Sequence, residues 1–450
     1  KPSVQIGGAA DKALALTDLA YVAAGCKVSV AESLLGAIAS VKTGEPLGND
    51  VIEAKCAEAA SSSQAALNFY ICRAGMAARL TSLSFGRCKV REDVLNLMVV
   101  MLNEGVVPAF TSVTTAGMEL ILALTGSDKG KVYTGDDGEK MASASSALKG
   151  KGLEPVQLSA GEVDILRGCQ FLSTGAACLI AEGASNVFDC LEGVSALSCE
   201  AIGVATMGFQ AEHFEIARQH RGQMEAATNL RMMLEGSRQV SAKRMDDNDK
   251  GDMSAFVGIP QNLGPGKDAL ATATKALDVE LNSSELNPGV SVMDPTPAVL
   301  NLQLVSGAMY VALVASTERT HHLQGSAVGA LAPPPQLESF FDFAAVYAQL
   351  KALEATVVNE ARAASAVLDS LTKKLEEEAA AKAKAKEGAE SQAAAKAAEL
   401  AAKIKETEAS YTPEQRAKAE AARKKKEEKA AAKKAAKDNK KSATLTLGAG

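Results

Sequence analysis

The sequence has no tryptophan and only 4 histidines among its 450 residues. His321 and His322 are adjacent, so on a helix their side chains point about 100° apart, and neither has a further ligand three or four residues away. His213 and His220 lie in a connector between two helical stretches, where we expect packing rather than catalysis. The sequence therefore predicts no metal centre built on histidine.

Cysteine is present, but its spacing matches neither a metal site nor a redox site. The sequence has 8 cysteines and no C-x-x-C pair. They stand at positions 26, 56, 72, 88, 169, 178, 190 and 199. Several occupy apolar positions of helical patterns, so we expect reduced core residues and a reducing, cytoplasmic compartment.

Phosphate-binding loops and long hydrophobic runs are also missing. Gly7 and Gly8 form a turn that no G-x-G-x-x-G motif follows. The longest apolar run, Leu302 to Ala315, is interrupted by Gln303 and Ser306 and is shorter than the ~20 residues that span a bilayer. We predict a buried helix there and no membrane partner. No signal-peptide pattern opens the chain, although its first residue is not Met.

Charge is distributed unevenly along the chain. Residues 373–441 hold 20 Lys and Arg against 13 Asp and Glu, a net charge of +7, and the rest of the chain carries −13 of the total of −6. The basic segment is rich in Ala, Lys and Glu without a sustained apolar stripe, which predicts a solvated helix or a disordered arm. Thr412 to Glu414 would restart a helix within it.

We call the basic segment, residues 373–441, the tail and the acidic remainder of the chain the body. The positive charge of the tail predicts an acidic partner for it. The candidates are a neighbouring subunit, an acidic protein filament such as a microtubule, which implies cytoskeletal association, or RNA. Arg423 to Lys426 is the densest basic cluster, but Glu427 and Glu428 follow it, and Tyr411 is the sole aromatic residue available for stacking on bases. A solvated face is the favoured interpretation of the cluster.

Apolar periodicity predicts helices over most of the remainder. In the N-terminal region it predicts a strand at Val4 to Ile6 and helices over residues 11–24 and 29–41, with residues 131–135 in a loop. A long helix is expected from about Pro297 to Leu323. Further apolar positions with helical spacing, which should pack on the body, are Phe343, Val346, Leu350, Leu353 and Val357.

The chain is organised around Ser195 to Arg238, where two amphipathic helices flank a connector. Gly222 opens the second helix and Gly236 closes it. Three short motifs mark this segment: ALSCEA from Ala196, HRGQ from His220 and LEGS from Leu234. This combination resembles a signature segment of the aromatic amino acid ammonia-lyases, the histidine and phenylalanine lyase family.

Other segments extend the resemblance over roughly residues 1–335. Leu80 to Leu83, Val90 to Val94 and Asn282 to Pro288 match family motifs, and a capping-box pair, Ser159 and Glu162, opens another helix. We expect Asn282 to have a structural role. The resemblance implies a mainly α fold, namely a bundle of long antiparallel helices like that of the ammonia-lyases and L-aspartase, with a small mixed N-terminal lobe. It also implies a homo-oligomer formed through the central helices.

The family's cofactor loop is altered in this chain. Family members carry Ser-Val-Gly-Ala-Ser-Gly-Asp-Leu, in which Ala-Ser-Gly cyclises to the electrophile 4-methylidene-imidazol-5-one. Here Ser112 to Leu120 reads SVTTAGMEL, which aligns Thr115, Ala116 and Gly117 with the cyclising residues. Ala116 has no hydroxyl to eliminate. Using the hydroxyl of Thr114 or Thr115 would need a shifted register, which would move the cyclising glycine too.

Four further active elements of the family have no counterpart. The tyrosine of the N-terminal loop is missing near residues 41–45, and Ser173 or Thr174 replaces the substrate-binding asparagine. A hydroxyl cannot present an amide's donor and acceptor together. Residues 253–258 replace Tyr-Ser-Leu-Arg, and the Gly-Asn-Phe-His loop is absent between Asn287 and Leu300.

The sequence thus predicts an inactive ammonia-lyase-like protein that serves as a structural subunit, with no cofactor. The alternative is an amino acid ammonia-lyase, of histidine or phenylalanine type, with an atypical electrophile. We predict four divisions of the chain. Residues 1–120 form an N-terminal lobe with the degenerate cofactor loop, residues 121–335 a central bundle, residues 336–372 a helical extension and residues 373–450 a charged tail.

Overall fold

The computed structural model describes most of the chain, and its contacts divide the chain into two units, Lys1–Leu368 and Asp369–Gly450. The described residues are 3–8, 12–38, 43–62, 64–85, 88–135, 137–168, 170–204, 206–237, 239–240, 254–283, 296–325, 343–409 and 424. Some sequence predictions concern residues outside the described ones. These are the basic cluster Arg423 to Lys426, apart from position 424, and the segments 287–295 and 412–414.

The N-terminal part mixes short helices with two small sheets. Strands β1 and β2 are parallel, and β3, β4 and β5 form an antiparallel sheet in that order. The elements are β1 Ser3–Ile6, α1 Leu16–Ala23, β2 Lys27–Val30, α2 Glu32–Ile38, α3 Asn49–Lys55, α4 Ala57–Ala60, α5 Phe69–Ser84, α6 Glu92–Asn103, β3 Val107–Pro108, α7 Ala116–Leu124, β4 Lys131–Thr134 and β5 Lys140–Ser143.

Three local predictions in this region are corrected. The helix expected over residues 11–24 begins only at Leu16, and the one expected over 29–41 is a strand to Val30 followed by α2. Val28 and Val30 are β-branched and pair with β1, which overrides the helical spacing. The expected loop at residues 131–135 is the strand β4, because a hairpin partner lies only a few residues further on.

Helices build the rest of the first unit, and the long ones among them, α10, α13, α14 and α15, form the predicted bundle; α15 continues into the second unit. The helices are α8 Ala144–Lys151, α9 Ala160–Arg167, α10 Phe171–Ile202, α11 Arg221–Met233, α12 Ser254–Val257, α13 Ile259–Leu281, α14 Thr296–Gln324 and α15 Phe343–Ala409. The connector between α10 and α11 contains a 3₁₀ turn, Thr206–Phe209, and a π-helical turn, Glu212–Ile216. Ser159 and Glu162 form the predicted capping box, and Gly236 adopts the predicted left-handed conformation with φ +78°, although α11 already ends at Met233 with Leu234 as its C-cap.

One continuous hydrophobic core runs from Val4 to Val357. Its centre is the crossing of α5 and α10, both of which bury small residues there. A Cβ added at Gly175 would lie 2.5 Å from the backbone nitrogen of Gly75, so the two backbones are in direct contact. Asn282 joins the bundle to the N-terminal part, since its side-chain oxygen accepts from the backbone N–H groups of Ala13 and Leu14 at 2.8 and 3.1 Å.

A buried ion pair fixes the first part of α15 on the bundle. The Glu360 carboxylate accepts from Arg319 Nε of α14 at 2.5 Å, from Ser198 Oγ of α10 at 2.8 Å, and from the Ser316 hydroxyl. Arg319 also donates to the backbone oxygen of Ala255 at 3.1 Å. The prediction that this part packs on the body is confirmed, because the residues described there as buried include Val346, Leu350, Leu353 and Val357.

Helix α14 confirms the predicted long helix but corrects its predicted burial. Leu302, Val305 and Met309 are buried, whereas Leu304 is 65% exposed and Val311 is 44% exposed, because no described element of the same chain covers that side. By length and composition, Ala160–Ile202 and Val299–Gln324 could each cross a membrane. Core helices pass the same test, and the most apolar 18-residue window is 71% buried in the first stretch and 44% buried in the second.

The second unit contains the continuation of α15 to Ala409. Its described side chains are exposed apart from the half-buried Leu371, in keeping with a composition that offers no apolar stripe. Ion pairs along the helix, such as Lys403 with Glu399 at 2.9 Å, are of the exposed i, i+4 kind that contributes only a few tenths of a kcal/mol. The described part of this unit is a solvated helix.

Candidate functional site

The predicted cofactor-loop residues form the loop after β3 and the first turn of α7. Thr115 is the N-cap residue, with φ −98° and ψ −11°, and Ala116 is the first helical residue, 1% exposed. The carbonyl oxygen of Thr115 accepts from the backbone N–H of Glu119 at 2.9 Å, an α-helical hydrogen bond. The three residues aligned with the cyclising tripeptide therefore enter an ordinary helix.

Glu119 organises the hydroxyl groups of this loop. Its carboxylate accepts from the backbone N–H of Thr111 at 3.0 Å, from Thr111 Oγ1 at 2.5 Å and from Thr115 Oγ1 at 3.2 Å. Ser112 Oγ lies 2.8 Å from Thr115 Oγ1 and 2.9 Å from Thr114 Oγ1. The threonine hydroxyls that could stand in for the missing serine are thus already bound in a local network.

Burial raises the pKa of the Glu119 carboxyl above its ordinary value, although hydrogen bonds from Thr111 and Thr115 and the charge of Lys131 oppose the shift. A cavity of about 20 Å³, large enough for one water molecule, adjoins it and is lined by Ser62, Thr111 and Lys129 among others. This volume leaves no room for an amino acid substrate. The chemistry of the cluster is that of loop stabilisation.

Gly117 is the one cyclising position that keeps its family residue, and its surroundings are tight. A Cβ at Gly117 would lie 2.5 Å from the carbonyl oxygen of Arg167, at the end of α9. The glycine therefore permits α7 and α9 to approach each other closely. The close contact of the two helices is therefore sufficient to explain a glycine at position 117, without cyclisation of the loop.

Ser173 and Thr174 are the two residues that the sequence predicts for the position of the family's substrate asparagine. Ser173 lies in the first turn of α10, is 0% exposed, and its Oγ has no hydrogen-bond partner within the described residues. The neighbouring Thr174 Oγ1 donates to the backbone oxygen of Gln170 at 3.4 Å, so it is directed at its own helix. Neither hydroxyl replaces the paired donor and acceptor of an amide.

The residues present do not fit the family's electrophile. Formation of that group releases two waters: one as the glycine nitrogen attacks the carbonyl carbon of the residue two positions before it and closes the ring, and one as the hydroxyl of the middle serine is eliminated. Here the middle residue is Ala116, and the carbonyl in question, that of Thr115, is held in the first helical hydrogen bond of α7. We therefore derive no catalytic step through it.

The histidines and acidic groups do not assemble another reactive centre in the described part of the chain. His213 and His220 are exposed in the connector, and His321 and His322 are half-buried, with the ring of His322 edge-on to Phe256 at 5.4 Å between centroids. Among the residues that the structure describes, no three His, Cys, Asp or Glu side chains converge as a metal site would require. The described cysteines are free thiols, buried except for Cys190.

An open groove of about 430 Å³ lies between α6 and the extended segment after α8. It is bordered by Arg91, whose guanidinium binds Glu162 with Nε–Oε1 at 3.0 Å and Nη2–Oε2 at 3.1 Å. Sequence reasoning identified Glu162 as a capping residue and missed this ion pair, since no local pattern relates the two positions. The pair joins the N-terminal ends of α6 and α9, since Arg91 is the N-cap residue of α6 and Glu162 lies in the first turn of α9.

Replacing Glu162 by Gln should change how stability depends on pH. Burial opposes ionisation, but hydrogen bonds from Arg91 and from the Ser159 backbone outweigh it and lower the pKa of Glu162. Its stabilisation is therefore present above the unfolded-state pKa of about 4.3 and is lost as the pH falls through the lower folded-state pKa. We expect the variant to lose about 1–3 kcal/mol at pH 7 and to approach the wild type in acid.

Urea unfolding at pH 7 and at several values below about pH 4.3 measures this difference. The matched control is Glu104→Gln, which removes an exposed ion pair with Lys151 and should cost less than about 1 kcal/mol at either pH. An equal loss for both variants, or a loss at Glu162 that is independent of pH, would contradict the assigned role of the Arg91 pair.

Comparison with known proteins assigns the chain to a family. Residues 35–439 match the model of the family described as aromatic amino acid lyase. The match continues well beyond the expected limit near residue 335. The curated relatives include a tyrosine 2,3-aminomutase of Streptomyces globisporus, 31% identical over 238 residues, and a probable histidine ammonia-lyase of Thermoplasma acidophilum, 35% identical over 233 residues.

These alignments cover 48% and 49% of the chain and 44% of each relative, so the chain matches less than half the length of these curated proteins. The similarity to solved structures covers a larger part of this chain. Phenylalanine aminomutase of Pantoea agglomerans has a TM-score of 0.65 at 17% identity, covering 82% of this chain and 90% of that one. Histidine ammonia-lyase of Trypanosoma cruzi has a TM-score of 0.65 at 15% identity, covering 82% and 85%.

At such low identity the structural likeness establishes the fold alone, and the fold is the helical bundle expected from the sequence motifs. The family match spans most of the chain and includes the altered cofactor loop. The chain therefore belongs to the aromatic amino acid lyase family.

Proposed function

We propose that this protein is a catalytically inactive member of the family that serves as a structural subunit of a larger assembly. The observation that carries the proposal is Ala116: the position of the electrophile-forming serine holds a methyl group, buried in the first turn of an α-helix. Without the electrophile, the family's route to ammonia elimination is closed.

The surroundings support the same conclusion. Glu119 engages the loop hydroxyls, and Ser173 presents no amide where the substrate's amino acid group would bind. In the segment that replaces Tyr-Ser-Leu-Arg, Phe256 is 1% exposed and packs on α14 rather than facing a substrate. Buried ion pairs hold the helices of the bundle together: Glu360 binds Arg319, and Lys267 binds Glu192 at 2.6 Å.

Incubation with histidine, phenylalanine and tyrosine tests the proposal. We expect no urocanate, cinnamate or coumarate above the no-enzyme background, while an active histidine ammonia-lyase assayed in parallel yields urocanate. We expect Ala116→Ser to remain inactive as well, because the hydroxyl alone does not restore the substrate-binding groups. Product formation by the wild-type chain would contradict the proposal and support the alternative of a lyase with an atypical electrophile.

The tail supplies a second part of the proposed role, attachment to an acidic partner. Residues 373–441 carry +7 and the described part of this unit is a solvated helix, so binding should be electrostatic and should weaken with salt. The proposed partner is a neighbouring subunit, an acidic protein filament such as a microtubule, or RNA. We place this function in a reducing, cytoplasmic compartment, in line with the free thiols.

Deleting residues 373–450 should release the protein from its assembly and leave the first unit folded. We expect the melting temperature to change by less than about 2 °C, because the removed residues described in the structure bury no core. Thermal unfolding and co-sedimentation with microtubules at low and high salt measure the two effects. Unfolding or aggregation of the truncated chain would show that the tail is a packed element instead.

A further inference from the structure

The groove beside α6 has two walls that are tied together at both ends. One wall is α6 itself, and the other is the segment of residues 153–157 that follows α8. At one end Arg91, the N-cap residue of α6, donates from Nη2 to the Gln157 carbonyl oxygen. At the other end the Lys151 ammonium binds the Glu104 carboxylate at 3.1 Å. The two walls therefore run antiparallel, and the fold fixes the groove between them.

The groove is elongated and has an apolar floor. Its α6 wall presents Asp93, Asn96, Leu97 and Val100, which recur three or four residues apart and so lie on one face. That face is about 10 Å long at 1.5 Å per residue, and the opposite segment is about 13 Å long at 3.3 Å per residue. Each wall thus matches about three or four residues of an extended chain. The lining residues that are buried or half-buried, and form the floor, include Leu97, Leu153 and Val156.

The wall formed by residues 153–157 offers unpaired main-chain groups to the groove. The N–H of Val156 is directed at α7, where it donates to the Leu124 carbonyl oxygen at 3.1 Å. Pro155 and Gln157 alternate with Val156 along the extended chain, so their main-chain groups point the other way, to the side on which Arg91 binds. In the described part of the chain, neither the Pro155 carbonyl oxygen nor the Gln157 N–H has a hydrogen-bond partner. A parallel strand added at this edge can bond both groups.

The charges around the groove favour a cationic occupant. Asp93 and Glu154 line it from opposite walls, are exposed and form no salt bridge among the described residues. Arg91 is the one cation among the described lining residues; it binds Glu162 at 3.0 Å, and its single charge is set against three carboxylates. A basic ligand therefore complements the groove, whereas an acidic one is repelled.

The spacing of the two exposed carboxylates fits alternate residues of an extended peptide. Glu154 lies about 10 Å from the Gln157 end of its wall, and Asp93 lies about 3 Å from the same end of α6. The two carboxylates are therefore about 7 Å apart along the groove. Alternate side chains of a strand point to the same side and are separated by about 6.6 Å, while the residue between them points to the opposite side.

We propose that this groove binds an extended segment of a partner protein in which two basic residues flank an apolar one. The apolar side chain lies on the floor, the basic side chains reach Asp93 and Glu154, and the main chain adds as a strand beside Pro155 and Gln157. The site extends the proposed role of a structural subunit and rests on it for its purpose. It does not involve residues 115–117, so the lyase assay and a binding assay fail or succeed separately.

Fluorescence anisotropy of the full chain with a labelled peptide, Ala-Lys-Val-Lys-Ala, tests the proposal. We expect saturable binding with a dissociation constant below about 1 mM that weakens with salt, and no binding of Ala-Glu-Val-Glu-Ala. The double variant Asp93→Lys with Glu154→Lys should invert this preference, losing affinity for the basic peptide about tenfold or more and gaining the acidic one. Misfolding cannot imitate this gain, because it requires an intact groove.

The matched control is Glu139→Lys with Glu235→Lys, which changes the net charge equally at two exposed carboxylates outside the groove. This variant should bind the basic peptide as the wild type does. The diamine cadaverine carries two positive charges without a main chain, so it should displace the labelled peptide about tenfold less effectively than unlabelled peptide does.

Four results would overturn the proposal. They are no binding of the basic peptide to the wild type at about 1 mM, an equal loss of affinity in the control variant, no gain of the acidic peptide by the charge-reversed variant, and displacement by cadaverine as effective as by the peptide. The last result would assign the groove to a small cation instead of a peptide.

Discussion

Replacing Glu360 by Ala is expected to lower the free energy of unfolding by about 3–5 kcal/mol, enough to unfold a domain of ordinary stability. Arg319 is 1% exposed, and its guanidinium would lose the carboxylate that binds both Nε and Nη2. The hydroxyls of Ser198 and Ser316 would lose their acceptor at the same time. The cost arises because a buried cation is left without its counterion, rather than from the attraction of the pair itself.

Chemical denaturation of the full chain measures this loss. Glu354→Ala on the same helix is the control, since Glu354 forms an exposed pair with Lys351 at 2.8 Å and its removal should cost less than about 1 kcal/mol. The double variant Arg319→Met with Glu360→Leu should recover much of the stability, because it removes both charges together. A single Glu360→Ala variant as stable as the control would contradict the assigned role.

Replacing Gly175 by Ala is expected to cost about 3 kcal/mol or more, although alanine favours helix. The added Cβ would lie 2.5 Å from Gly75 N and 2.6 Å from the carbonyl carbon and oxygen of Ala74. These are backbone atoms, so no side-chain rotation relieves the overlap, and α5 must separate from α10 at the centre of the core.

Gly193→Ala is a matched control in the same helix. A Cβ at Gly193 meets nothing within 4 Å, so the substitution should stabilise the protein by up to about 1 kcal/mol through helix propensity. Thermal melts of both variants should therefore move in opposite directions from the wild type. A shift of the same sign in both would show that the crossing of α5 and α10 is looser than the structure indicates.

Motifs and periodicity predicted the features that are local in sequence. The capping box of Ser159 and Glu162, the left-handed Gly236 just after α11 and the buried positions of α15 depend on residues within a few turns of each other. The helical bundle was predicted from the resemblance of several motifs to those of the family. Short strands such as β2 were misassigned because four residues carry too little periodicity to distinguish strand from helix.

Features that depend on distant contacts could not be predicted from the sequence. Arg319 and Glu360 are 41 residues apart, and Arg91 and Glu162 are 71 apart, so no spacing rule relates them. The exposure of Leu304 was missed for the same reason, because an apolar residue reveals nothing about whether its cover belongs to the same chain. For the candidate site, sequence identified Thr115, Ala116, Gly117 and Ser173, and the structure added Glu119.

The mass of the peptide that contains residues 115–117 tests the loss of the electrophile most directly. Cleavage by trypsin after Arg91 and Lys129 releases this segment in one piece, since no lysine or arginine lies between. We predict the mass of the unmodified sequence, in the wild type and in Ala116→Ser alike. A wild-type peptide lighter by two water molecules, with the loss located at Thr115 to Gly117, would show that the loop cyclises and would contradict an inactive structural subunit.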